Sequence, residues 1–142
     1  MYLLDTVVLS ELRKRRRNPR VVAWIRSVSP ADLFLSTITI GEIELEIEKQ
    51  RTANPAFAEE LGRWLEVTLR TYEDRVLPLD IGAARRWGRL AAQIGNAGLD
   101  LAIAATALEH GLVVVTRNVS HFAPTGVKTL DPFTMRQHHK RS

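Results

Sequence analysis

Three acids in this chain stand where chemistry can be done. Asp5 ends a short apolar run, Tyr2-Leu3-Leu4, and leads into a helical pattern. Glu42 lies near the start of a segment that follows a second apolar run, and Asp100 opens an apolar helix just before the most strongly apolar strand. In a parallel α/β sheet the carboxyl ends of the strands border the crevice where ligands bind. Crossovers that return the chain to one side bring such ends, and the acids on them, together. Converging carboxylates repel unless a cation neutralises them. Hard oxygen donors in a chain without cysteine suit Mg²⁺ or Mn²⁺ rather than zinc. An ion of that kind activates water and offsets the charge that develops on a phosphoryl group during hydrolysis. Each acid also has a plainer use, because Asp is a favoured N-cap and an acid in a first helical turn complements the dipole. Spacing alone leaves both readings open.

The elements that must position these acids read as alternating strands and helices. Thr6 is a candidate N-cap for the first helix, with Leu9 and Leu12 turned to the core. Asn18-Pro19 has the cap-then-proline form of a second helix, carrying Val21, Trp24 and Ile25 and ended by Pro30. Leu33-Phe34-Leu35-Ser36 is short and apolar enough for a buried strand. The next stretch is ambiguous: Ile43, Leu45 and Ile47 alternate with glutamates as in a half-exposed strand. Glutamate favours helices, however, and Ile40, Ile43 and Ile47 share one helical face, so the expectation is a helix. Asn54-Pro55 opens another, with Phe57, Leu61, Trp64, Leu65 and Leu69 at helical spacing. A short strand follows between 75 and 80, then a helix from Ile81 to about Ile94 that Gly95 and Gly98 interrupt. Leu99 to His110 is the most apolar helix, rich in alanine for close packing and closed by Gly111. Leu112 to Thr116 reads as a central parallel strand, apolar on both faces. Residues 127–130 supply an edge strand.

Length and composition agree with one globular domain. The chain has 142 residues, 45% of them hydrophobic and 25% charged, which is enough to bury a core without disulfides. No apolar run approaches membrane-spanning length and the first residues lack the features of a secretory signal, so a cytoplasmic protein is expected. The formal net charge is +4, and a polyanion is therefore a plausible partner. The excess is local: Arg13, Lys14, Arg15, Arg16, Arg17 and Arg20 cluster just after the first helix begins, and Lys140 and Arg141 lie in the last residues. Such a run is either a solvated helix end or a phosphate-contacting patch.

Four stretches taken together carry a family resemblance. They are Tyr2-Leu3-Leu4-Asp5-Thr6, the segment from Leu35 to Glu42, the helix beginning Asp100-Leu101-Ala102-Ile103-Ala104-Ala105, and Val114-Val115-Thr116-Arg117-Asn118 followed by His121-Phe122. In register from Tyr2 to about Phe133, they resemble the PIN-domain family, and within it the VapC-type toxins of bacterial toxin–antitoxin pairs. The resemblance implies a three-layer α/β/α domain over residues 1–133, with a central parallel sheet flanked by helices and a polar basic tail at 134–142. It implies a divalent-metal-dependent endoribonuclease that hydrolyses RNA phosphodiester bonds with metal-activated water. Asp5, Glu42 and Asp100 would be its catalytic and metal-binding acids, using Mg²⁺ or Mn²⁺. Thr6, Thr116 and Asn118 would support them, and Arg13, Arg15 and Arg117 would contact RNA phosphates. The partners implied are a cognate antitoxin, RNA, a second copy in a homodimer, and DNA only through the antitoxin, with no role for a membrane.

Two positions depart from the pattern. Close relatives commonly place asparagine directly after Asp-Thr, where this chain has Val7; many have aspartate where it has Asn118. Valine neither donates nor accepts a hydrogen bond, and an asparagine carbonyl adds no negative charge. The competing expectation is therefore a PIN-like protein that binds RNA or antitoxin without turnover.

Overall fold

The computed structural model describes residues 1–134; His138, His139, Lys140 and Arg141 lie outside the described residues, as does all of the basic tail beyond Thr134. Among the described residues, five strands form one parallel sheet. They are β1 (Tyr2–Leu4), β2 (Leu33–Ser36), β3 (Val76–Leu77), β4 (Val113–Val115) and β5 (Thr129–Leu130), in the order β3-β2-β1-β4-β5. The strand preceding Asp5 is thus central. Its register, Leu3 opposite Val114 and Leu4 opposite Val115, sets the two faces.

Because side chains alternate across a strand, these two pairs serve different cores. Leu4 and Val115 pack with residues of α1 (Thr6–Glu11), α2 (Pro19–Ser27), α3 (Thr37–Ala53) and α4 (Pro55–Tyr72), Trp24 and Leu61 among them. Leu3 and Val114 pack on the opposite face with Ile103, Ala104 and Ala107 of α6 (Leu99–His110) and Phe122 of α7 (Val119–Phe122). The remaining helix, α5 (Ile81–Ile94), pairs with α6. The expected three layers are present. Buried alanines let α6 approach closely, and its buried Thr106 hydroxyl donates to the Ala102 carbonyl at 3.0 Å, so no polar group is stranded.

Helix boundaries follow local chemistry. Asn18 and Asn54 cap α2 and α4 with their side-chain oxygens, each ahead of a proline at the first helical position. Gly95 and Gly111 adopt left-handed conformations at φ 83° and 66° after α5 and α6. The ambiguous segment is helical, and its Ile43 and Ile47 face the core while the intervening glutamates are exposed or half-buried. Three expectations need correction. Asp5, not Thr6, is the N-cap of α1, since its carboxylate accepts the Thr6 N–H. The basic run lies past α1 rather than within it: α1 stops at Glu11 with Leu12 as its C-cap, and the chain turns at 12–13 and bends over 14–16. Helix α2 ends at Ser27, ahead of Pro30, which opens a short 3₁₀ turn instead.

Candidate functional site

Asp5 is fixed on every side. Its N–H donates to the Val115 carbonyl at 2.9 Å, extending the β1–β4 ladder by one residue, and its carbonyl accepts the Val8 and Leu9 N–H groups as α1 begins. One carboxylate oxygen accepts the Thr6 N–H at 2.9 Å; the other accepts the Thr116 hydroxyl at 2.8 Å. Only 5% of the residue is exposed. Capping and site-building are therefore one arrangement: the bonds that start the helix also orient the acid at the carboxyl end of the central strand.

Glu42 reaches this spot from the second turn of α3, where its carboxylate accepts the Thr6 hydroxyl. That hydroxyl also lies 3.1 Å from the Thr39 hydroxyl. A hydroxyl has one proton to give, so Thr6 donates to Glu42 and accepts from Thr39. Asp100, in the first turn of α6, is more open; its carboxylate lies 3.4 Å from Nδ1 of His121. The Asp5 carboxyl is pushed above its ordinary value, first by burial and then by the charges of Asp100 and Glu42, against the opposing bonds from Thr116 and Thr6. Asp5 thus lies within reach of the charges of both Asp100 and Glu42. Among the described residues, however, no three His, Cys, Asp or Glu side chains close on a single point tightly enough to hold an ion between them directly.

The donor set still fits a hard divalent cation. All the oxygens gathered here are carboxylate or hydroxyl, and the buried Asp5 charge is disfavoured by its neighbours, an imbalance that a cation relieves. Magnesium keeps several of its waters and commonly uses only one or two direct carboxylates, so an open arrangement of acids suits it.

The PIN domain family profile matches residues 2–124. The chain belongs to the PIN-domain family. A VapC ribonuclease of Sinorhizobium fredii is 36% identical, over 94% of this chain and 98% of that protein. Toxin FitB of Neisseria gonorrhoeae is 34% identical, over 94% and 99%. The crystal structure of FitAcB from Neisseria gonorrhoeae superposes with a TM-score of 0.84 at 35% identity, covering 95% of this chain and 100% of that one. VapBC2 from Rickettsia felis, at 17% identity and a TM-score of 0.70, shares the fold.

The other expected contributors to this PIN domain are placed unevenly. Thr116 is fully buried against Asp5, and its hydroxyl oxygen accepts the Asn118 N–H at 2.9 Å, so Asn118 borders the site through its backbone. Arg13 is turned inward: its guanidinium lies 5.1 Å from the Phe57 ring centroid and its Nε is buried without a hydrogen-bond partner among the described residues. Arg15 and Arg117 are exposed. Val7, in the first turn of α1, is half-buried against the core. The sequence reading missed Thr39, which is fully buried. Its only signal was a hydroxyl one helical turn before Glu42, a spacing that places both on one face.

Proposed function

We propose that this PIN domain is a divalent-metal-dependent endoribonuclease and the toxin of a toxin–antitoxin pair. The observation that carries the reading is Asp5: a buried carboxylate at the end of the central strand, held by Thr6 and Thr116 and facing Glu42 and Asp100. The names and assemblies of relatives similar along nearly the whole chain support it, since one is called a VapC ribonuclease and another a toxin. Asp5 provides the fixed anchor for a Mg²⁺ or Mn²⁺ ion, Glu42 a second acid oriented by the Thr6 hydroxyl, and Asp100 a third at the open side. When bound, the cation supplies an activated water and offsets charge on the phosphodiester. Thr116 keeps one Asp5 oxygen aligned, and Asn118 offers an uncharged amide at the rim.

The antitoxin partner follows from FitAcB and from FitAB bound to a DNA fragment, the latter 33% identical to this chain. In the present protein DNA contact would be made by the antitoxin. The alternative, binding without turnover, draws on Val7, whose side chain packs into the core where a hydrogen-bonding residue would have supported Asp5 or water.

The deciding experiment offers antitoxin-free protein a mixed RNA pool, single-stranded DNA and a small phosphodiester, each with Mg²⁺, Mn²⁺ or EDTA. Wild type is compared with an Asp5→Asn/Asp100→Asn variant shown to be folded by circular dichroism. Metal-dependent cleavage of RNA that the variant lacks is the expected result. Equal cleavage by the variant would refute the site, and RNA binding without cleavage in either metal would establish the alternative.

A further inference from the structure

One buried acid lies outside the proposed metal site. Glu11 ends α1 at 7% exposure and has both carboxylate oxygens engaged: one with the Lys14 ammonium at 3.0 Å, the other with the Asn18 N–H at 2.8 Å. Burial alone would raise its carboxyl; the Lys14 contact, the Asn18 N–H and the charge of Arg117 outweigh it and hold the group below its ordinary value. Glu11 thus ties Lys14 of the basic run to the Asn18 backbone, within range of the Arg117 charge.

Arg117 directly follows Thr116, the residue whose hydroxyl holds Asp5. Its guanidinium carbon lies 3.8 Å from the centroid of the Phe133 ring, a stacked cation–π contact. The ring itself is fixed. Phe133 is 6% exposed, its N–H donates to Asp131 at 2.9 Å and its carbonyl accepts from Arg20 at 3.4 Å. Among the described residues, none of the guanidinium N–H groups has a hydrogen-bond acceptor or a salt-bridge partner. An exposed planar cation held over a buried ring, with unspent donors one residue from the site, matches a phosphate better than any other part of a nucleic acid.

We propose that Arg117, stacked on Phe133 and steadied by Glu11 together with Lys14, is a subsite for one backbone phosphate of single-stranded RNA flanking the bond to be cleaved. The inference rests on the ribonuclease reading and adds to it a fixed register for the substrate. Glu11 acts as a positioning residue. Its charge draws the turn after α1 toward Arg117, and the two cations exceed its single negative charge, leaving the pair attractive to phosphate.

The test is binding of a fluorescein-labelled, mixed-sequence single-stranded RNA in EDTA, where cleavage does not interfere, titrated at several salt concentrations. Arg117→Lys keeps the charge but loses the planar stack and fork; it is expected to weaken binding about tenfold, the loss of one charge-assisted contact. In Arg117→Gln, which removes the charge, the slope of log Kd against log salt should shrink by about 0.7, as for one phosphate on a single strand. Glu11→Gln removes a negative charge, so a purely electrostatic patch would bind RNA more tightly. Positioning requires the opposite, weaker binding with a smaller slope. Unchanged affinity in Arg117→Lys together with an unchanged slope in Arg117→Gln, or tighter binding in a folded Glu11→Gln variant, overturns the subsite while leaving the ribonuclease reading intact. Absence of RNA binding by wild type overturns both. Arg117 is exposed, so its variant decides the question even where Glu11→Gln fails to fold.

Discussion

Replacing Thr116 by valine tests the Asp5 socket with little change in shape. Thr116 is fully buried and its hydroxyl makes two contacts, donating to Asp5 at 2.8 Å and accepting the Asn118 N–H at 2.9 Å. Valine fills the same volume, so no cavity term enters. Asn118 is exposed and water can replace the bond to its N–H. What remains is the bond to Asp5, which is 5% exposed. A hydrogen bond to a charged group contributes about 1.5–3 kcal/mol, and to a neutral one about 0.5–1.5 kcal/mol. Urea denaturation at neutral pH in EDTA should therefore show Thr116→Val destabilised by about 1.5–3 kcal/mol. In an Asp5→Asn background the same change should cost only about 0.5–1.5 kcal/mol, and the difference is the coupling energy. Removing a donor that favours the ionised carboxylate also moves the acid limb of any activity profile to higher pH. Equal costs in the two backgrounds, or no measurable cost in either, would show that the Thr116–Asp5 bond does not hold the acid in place.

Further outcomes follow from the same geometry. The folded pKa of Asp5 lies above its unfolded value, so the folded state binds more protons across the window between them, and stability falls as pH rises through that window. Asp5→Asn removes this penalty; metal-free thermal melts should show the variant gaining on wild type as the pH is raised, even though it cleaves nothing. Mg²⁺ at a hundred times its Kd should stabilise wild type by about 2.7 kcal/mol and leave Asp5→Asn unmoved, as differential scanning fluorimetry would detect. Gly111 sits at φ 66° between α6 and β4. Gly111→Ala should cost roughly 1–2 kcal/mol in urea denaturation, from the left-handed backbone alone.

The strand-helix alternation was legible because each strand here is short, apolar and followed by a cap or glycine that ends one element before the next. Asn18-Pro19 and Asn54-Pro55 state their helix starts locally, and the structure places caps at both. What lay beyond reach depended on pairs far apart in sequence. Thr116 and Asp5 are 111 residues apart, Thr6 and Glu42 are 36 apart, and no periodicity reports such a contact. Where α1 stops was hidden for a related reason: the Glu11 carboxylate accepts the Asn18 N–H and pairs with Lys14, contacts that bring the chain around after Leu12. Arg13 likewise reads as one more surface cation until its stack on Phe57 is seen. The acids stood out as a group from their places at the strand ends, but only the family resemblance favoured a site over caps, because a capping aspartate and a site aspartate obey the same local rules.

The wiring of the central strand also bears on the order of events during synthesis. Asp5 leaves the ribosome 111 residues ahead of its hydroxyl partner, and ahead of the β4 carbonyl that receives its N–H. Until then the acid exists without the strand that completes its socket. Closing so long a loop is the slow kind of folding step. The order of synthesis therefore delays the Asp5 socket until β4 and Thr116 have been made.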